Sequence, residues 1–193
     1  MNILGALLVL PVILSGPKLI PQARDVEIVE KEKQSFVYYS TYFDENTNRI
    51  EKIKMDEEWQ YLLYTYCVKH NVNYEWVLAL TGAESSFNPF IGKSKNGKYY
   101  GAGMINIKYM KDYLKKEYGV NLLTPEGGLE GICILLREHL DSFGDDYHKA
   151  SMAYNFGAGY AKKLIKQGIT SSRYSRRIES IMNNLKAEED IYG

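Results

Sequence analysis

A chain of 193 residues with 45% hydrophobic side chains can bury roughly 70% of its unfolded surface in one core, without metal or disulfide staples. Its 24 Lys plus Arg balance 24 Asp plus Glu, and a net charge of zero argues against the basic footprint of a nucleic-acid binder. Two cysteines exclude a disulfide-rich scaffold or a four-ligand zinc site, and 17 Tyr, 6 Phe and 2 Trp exclude bulk disorder.

Residues 3–14 form an apolar run interrupted by Gly5 and Pro11. The run is shorter than the about 20 residues of a membrane span, and its length suits the apolar stretch of a secretory signal. Against that reading, no Lys or Arg precedes it, and Pro21-Gln22-Ala23 is a poor cleavage site. Two readings stand: an export or membrane-contacting segment, which would place the protein in the cell envelope, or an apolar arm packed on the fold. Under both, residues 1–24 lie outside the main domain.

Residues 25–55 change in character. Val26-Glu27-Ile28-Val29 and Phe36-Val37-Tyr38-Tyr39 hint at strands, and residues 44–48 read as a turn between Tyr42-Phe43 and the apolar positions at 50 and 53. The stretch is either a small hairpin or an extended linker, with the main domain running over 56–189.

From Asp56 the pattern is helical. Asp56 caps a helix reaching about residue 70, with Trp59, Leu62, Leu63 and Tyr66 on its inner side. Asn73 caps the next, which Asn88-Pro89 stops, because the residue before proline disfavours helical geometry. A loop with glycines at 92, 97, 101 and 103 follows, then a third helix over 106–117. Thr124-Pro125-Glu126 combines an N-cap, a first-turn proline and a first-turn acid, and opens a fourth helix to about 140. Asp145 or Asp146 starts a fifth, ending near Phe156-Gly157; a short piece spans 159–167. Ser171 or Ser172 opens the last, carried through Ile178, Ile181 and Leu185. Helices joined by short connections, without a βαβ rhythm, make a mostly α domain. Cys67 and Cys133 fall among apolar helical residues and read as buried thiols; export would make a bond between them worth testing.

Glu84 is the most informative side chain. It stands in the last turn of an apolar helix, where the negative end of the helix dipole disfavours an acid. In a partly dry cleft, desolvation and the dipole both raise its pKa, as a general acid working near neutrality requires. Gly101-Ala102-Gly103-Met104-Ile105-Asn106-Ile107 and Ala153-Tyr154-Asn155-Phe156-Gly157-Ala158-Gly159 add the parts of a carbohydrate cleft. Glycines let backbone approach a ligand, amides supply donor and acceptor, and tyrosine stacks on a sugar face.

These segments, in this order and spacing, resemble the soluble lytic transglycosylase family of the lysozyme-like superfamily, over about residues 56–182. The family's catalytic glutamate, followed by serine and an aromatic-Asn-Pro step, is matched by Glu84-Ser85-Ser86-Phe87-Asn88-Pro89, and a downstream serine by Ser94. Its Gly-Leu-Met-Gln-Ile motif falls on Gly103-Met104-Ile105-Asn106-Ile107, a departure at three positions that keeps each chemical type. Its Ala-Tyr-Asn-x-Gly-x-Gly motif is matched outright by residues 153–159, and its late tyrosine by Tyr174.

The resemblance implies a lysozyme-like fold and cleavage of the β-1,4 bond between N-acetylmuramic acid and N-acetylglucosamine in peptidoglycan without water, leaving a 1,6-anhydromuramic end. It implies Glu84 as acid and then base, Tyr174 and Ser85 as its supports, and Ser94, Met104, Asn106, Tyr154 and Asn155 as substrate-binding residues. Peptidoglycan glycan strands are the implied partner, within wall turnover or an envelope machine of secretion, conjugation or phage entry. No Asp or Glu lies between Glu84 and Gly103, whereas Lys93, Lys95 and Lys98 do, which favours the lyase over a lysozyme-type muramidase needing a second carboxylate. A non-catalytic peptidoglycan-binding module is the other alternative, and a groove long enough for several sugars at Glu84 discriminates against it. His70, His139 and His148 are too widely spaced for a ligand cluster, so neither metal nor cofactor is expected.

Overall fold

The computed structural model describes residues 36–187. The expectations for residues 1–24 and for Val26-Glu27-Ile28-Val29 lie outside the described residues.

The first element among the described residues is a hairpin, β1 (Tyr39–Asp44) and β2 (Arg49–Lys52), paired antiparallel with Tyr42 opposite Glu51. Helix α1 (Glu57–His70) and helix α2 (Tyr74–Ser85) follow, capped by Asp56 and Asn73, whose side chains accept from the backbone N–H of Trp59 and Trp76. Two short strands, β3 (Tyr99–Tyr100) and β4 (Ile105–Asn106), pair across the glycine-rich turn, where only loop was expected. Then come α3 (Ile107–Tyr118), α4 (Pro125–Phe143), α5 (Tyr147–Phe156), α6 (Ala158–Lys166) and α7 (Arg173–Asn183). Of the paired candidates, Asp146 and Ser172 are the caps; Asp145 instead takes a left-handed φ of 57° after Gly144. Leu185 does not extend the last helix. It opens β5 (Leu185–Ala187), which pairs with β1 to give a sheet of order β2-β1-β5.

Helix α2 is buried on every side, with Val77, Leu78, Ala79, Leu80 and Thr81 all inaccessible, as befits a helix enclosed by others. It lies against α1 and α7, while α4 packs on α1 and α5 through Leu129, Ile132, Leu136 and Leu140. Cys67 of α1 and Cys133 of α4 meet in this core as thiols, with their sulfurs 3.7 Å apart.

The hairpin is no linker. Gln60 of α1 is fully buried, and its amide nitrogen donates to the carbonyls of Tyr39 and Met55, both at 2.8 Å. Its oxygen accepts from Tyr39 N at 3.0 Å and from the Tyr74 hydroxyl at 2.9 Å. A buried amide with its bonds satisfied clamps the strand to the helices, and Ile53 and Met55 reach the core. The compact unit therefore begins near residue 35, not at the expected boundary of 56.

Candidate active site

The end of α2 is built to turn sharply. Ser86 and Phe87 both adopt left-handed φ, 54° and 60°, and the Phe87 ring folds back onto the helix at Gly82. A Cβ at Gly82 would stand 2.4 Å from Phe87 Cζ, so only glycine admits this packing. The reversal leaves Glu84 in the last turn, half-buried and facing a cavity of about 230 Å³ lined by Tyr99, Met104, Tyr154 and Asn155.

Tyr174, 90 positions further on, donates its hydroxyl to Glu84 Oε1 at 2.5 Å. The side-by-side packing of α2 and α7 makes that contact. Burial raises the Glu84 pKa above the ordinary carboxylate value; the Tyr174 hydrogen bond and the nearby Arg177 charge pull it down, and burial prevails. Burial and the Glu84 charge push the Tyr174 phenol far up, so Tyr174 remains a donor.

Tyr154 is a wall residue. Its hydroxyl donates to the Gly103 carbonyl at 2.8 Å, and burial beside Glu84 holds its pKa high. Gly103 is required by that contact: a Cβ there would meet Ile132 Cγ1 at 2.4 Å and the Tyr154 hydroxyl at 2.5 Å. The expected use of this glycine, backbone approach to a ligand, is corrected to close packing of protein on protein. Met104 follows with a left-handed φ of 48°, a sparsely populated conformation for a side-chain-bearing residue, and lines the cavity from that position.

The Glu84 cavity adjoins two larger compartments. A compartment of about 610 Å³ shares Tyr99, Met104, Tyr154 and Asn155 with it and continues to Asn106, Tyr109 and Tyr113. A second, about 750 Å³, shares Asn155 and is bounded by α7, including Tyr174, and by the turn of the hairpin. Asn155, exposed at the end of α5, lines all three, so the compartments adjoin there.

Two expected residues do other work. Ser85 donates to the Thr81 carbonyl at 3.0 Å and accepts from Asn88 N at 3.2 Å; it fastens the chain reversal rather than holding Glu84. Ser94 donates to Asn96 Oδ1 at 2.8 Å and accepts from Tyr99 N at 3.1 Å, closing the turn before β3, and it does not line the groove. Short hydroxyl side chains beside free backbone groups are readily taken up in this way. Asn106 uses its oxygen to cap α3 at Lys108 N, 3.1 Å, while lining the larger apolar compartment. Two residues were missed. Tyr99 lines the Glu84 cavity, and the Tyr99-Tyr100 pair just ahead of the glycines was its signal. Arg177 lies three residues after Tyr174, a spacing that shares a helix face and could have flagged it.

No curated protein sequence matches the chain. Its fold is similar to that of lytic transglycosylase Slt from Pseudomonas aeruginosa, solved by X-ray as an inactive mutant. The TM-score is 0.55 at 16% identity, over 67% of this chain and 23% of that one, so the chain spans about a quarter of that protein's length. Residues 63–175 match the Transglycosylase SLT domain family, and this stretch holds Glu84, Tyr154, Asn155 and Tyr174. The chain belongs to the Transglycosylase SLT domain family.

Proposed function

We propose that the chain is a peptidoglycan lytic transglycosylase. The observation that carries this reading is a half-buried Glu84, held by the Tyr174 hydroxyl at 2.5 Å, in a cavity that adjoins two larger compartments. Protonated Glu84 gives its proton to the glycosidic oxygen as the bond from that oxygen to the muramic C1 breaks. The N-acetyl group of the same sugar steadies the positive charge. The resulting carboxylate then takes the proton of the muramic C6 hydroxyl as O6 closes on C1, which restores the acid. A raised pKa suits the first step, and Tyr174, donating to the carboxylate, suits the second.

The acids of the groove favour lyase over hydrolase. Among the described residues lining the Glu84 cavity there is no second carboxylate. Glu138, Asp44 and Glu45 line the flanking compartments instead, and Glu138 accepts from the hydroxyls of Tyr113 and Tyr118. Hydrolysis by two carboxylates would need a partner across the bond, about 5–10 Å away. A Glu84 cavity that adjoins two compartments large enough for sugars favours turnover over mere docking. Peptidoglycan lies outside the cytoplasm, so the apolar run at 3–14 is the segment that would export or anchor the protein.

The test is clearing of purified cell-wall suspensions. Glu84→Gln keeps an acceptor for Tyr174 and removes the transferable proton, so the rate should fall by at least about 10²- to 10⁴-fold. Clearing at the parent rate would overturn the assignment.

A further inference from the structure

The compartment beside Tyr174 carries charges beyond the one that acts on Glu84. Arg173, Arg176 and Arg177 stand at i, i+3 and i+4 in the first turns of α7, all exposed toward this cavity of about 750 Å³. Cations repel one another at this spacing, and they oppose the positive end of the helix dipole. Among the described residues, none of the three is in an ion pair within 4.0 Å; Arg176 donates to Ser171 Oγ at 3.0 Å. Three guanidiniums in one concavity, none held in a close ion pair, are an arrangement that an anionic ligand relieves. Across the cavity stand Asp44 and Glu45, on the turn of the hairpin that Gln60 clamps to the domain and that Asn184 fastens through its bond to Glu45 Oε1 at 3.1 Å.

We propose that this compartment binds the peptide stem of the muramic residue beside the cleaved bond, its carboxylates on Arg173 and Arg176 and its free ammonium group on Asp44 and Glu45. The inference rests on the peptidoglycan reading and adds to it the part of the substrate that sets specificity. Mixed sign selects a zwitterionic peptide, since a polyphosphate wall polymer would be repelled by the two acids. Proximity selects the stem: Tyr174 and Asn155 line this cavity as well as meeting the Glu84 site, so a substituent on the sugar held there is within reach. The hairpin and Arg176 both lie outside the matched stretch of 63–175.

The test uses full-length protein carrying Glu84→Gln, so that ligands survive, titrated with glycan oligomers bearing peptide stems and with the same oligomers stripped by an amidase. Stem-bearing oligomers should bind about 10-fold tighter, as two charge-assisted contacts allow. The gap should close to within about 2-fold in Arg173→Gln/Arg176→Gln and in 1 M salt, where the screening length is about 3 Å. Acetylating the stem amine should weaken binding to the parent but not to Asp44→Asn/Glu45→Gln. Equal affinity for both oligomers overturns the proposal and leaves the glycan reading standing. So does a gap that survives the arginine changes, or an equal loss on stripped oligomers. Binding of neither oligomer removes the glycan reading itself.

Discussion

Tyr174→Phe isolates one hydrogen bond. The ring keeps its packing against the core, and only the hydroxyl that reaches Glu84 Oε1 at 2.5 Å is removed. A hydrogen bond to an ionised group is worth about 1.5–3 kcal/mol, and one between neutral groups about 0.5–1.5 kcal/mol. In the proposed reaction Glu84 is ionised between the two proton transfers, so the larger figure applies there, and kcat/KM should fall by about 10- to 100-fold. The sign of the pH effect is also determined. The hydroxyl pulls the Glu84 pKa down against burial, so its removal lets that pKa rise, and the basic limb of the rate profile moves to higher pH. The deficit of the variant should therefore shrink as pH increases. Rate–pH profiles on purified walls, with circular dichroism to check the fold, provide the measurement. A rate within 2-fold of the parent, or a uniform loss with an unmoved limb, would refute the role given to Tyr174.

Arg177→Gln removes the other influence that lowers the Glu84 pKa, so its basic limb should also move up, while the plateau rate stays within about 3-fold, since a charge acting at a distance does not position the acid. Gly103→Ala drives a methyl group to 2.4 Å from Ile132 and 2.5 Å from the Tyr154 hydroxyl; denaturant melts should show a loss of about 1–3 kcal/mol, with slowed turnover as Tyr154 is displaced. Because the Glu84 pKa is raised on folding, the folded chain holds more protons than the unfolded chain between the ordinary and the raised value. Stability therefore falls as pH rises through that window. Glu84→Gln should abolish this fall and be at least as stable as the parent at pH 7, an advantage absent at pH 4.

The helices were legible because their starts are written in local chemistry. Asp56, Asn73, Thr124 and Ser172 each cap a helix where a short polar side chain precedes an apolar period. Strands that exist only through pairing were not legible in that way. β3 and β4 are two residues each, and β5 follows a helix without a break signal, so its partner β1, some 140 positions away, decides its state. The Gln60 clamp is a tertiary device too: nothing nearby in sequence marks that glutamine as buried. At the site, Glu84 and Tyr174 were recognised through motif order and meet as expected, while Ser85 and Ser94 were taken by neighbouring backbone groups. Tyr99 and Arg177 were overlooked because each acts through where its element lies in space.

In the proposed reaction one carboxylate performs both proton transfers, and the muramic C6 hydroxyl takes the place of water. Mass spectrometry of fragments released from purified peptidoglycan tests it most directly. The fragments should end in 1,6-anhydromuramic acid, lighter by one water than hydrolysis products. Reducing-end muramic acid as the main product would contradict it.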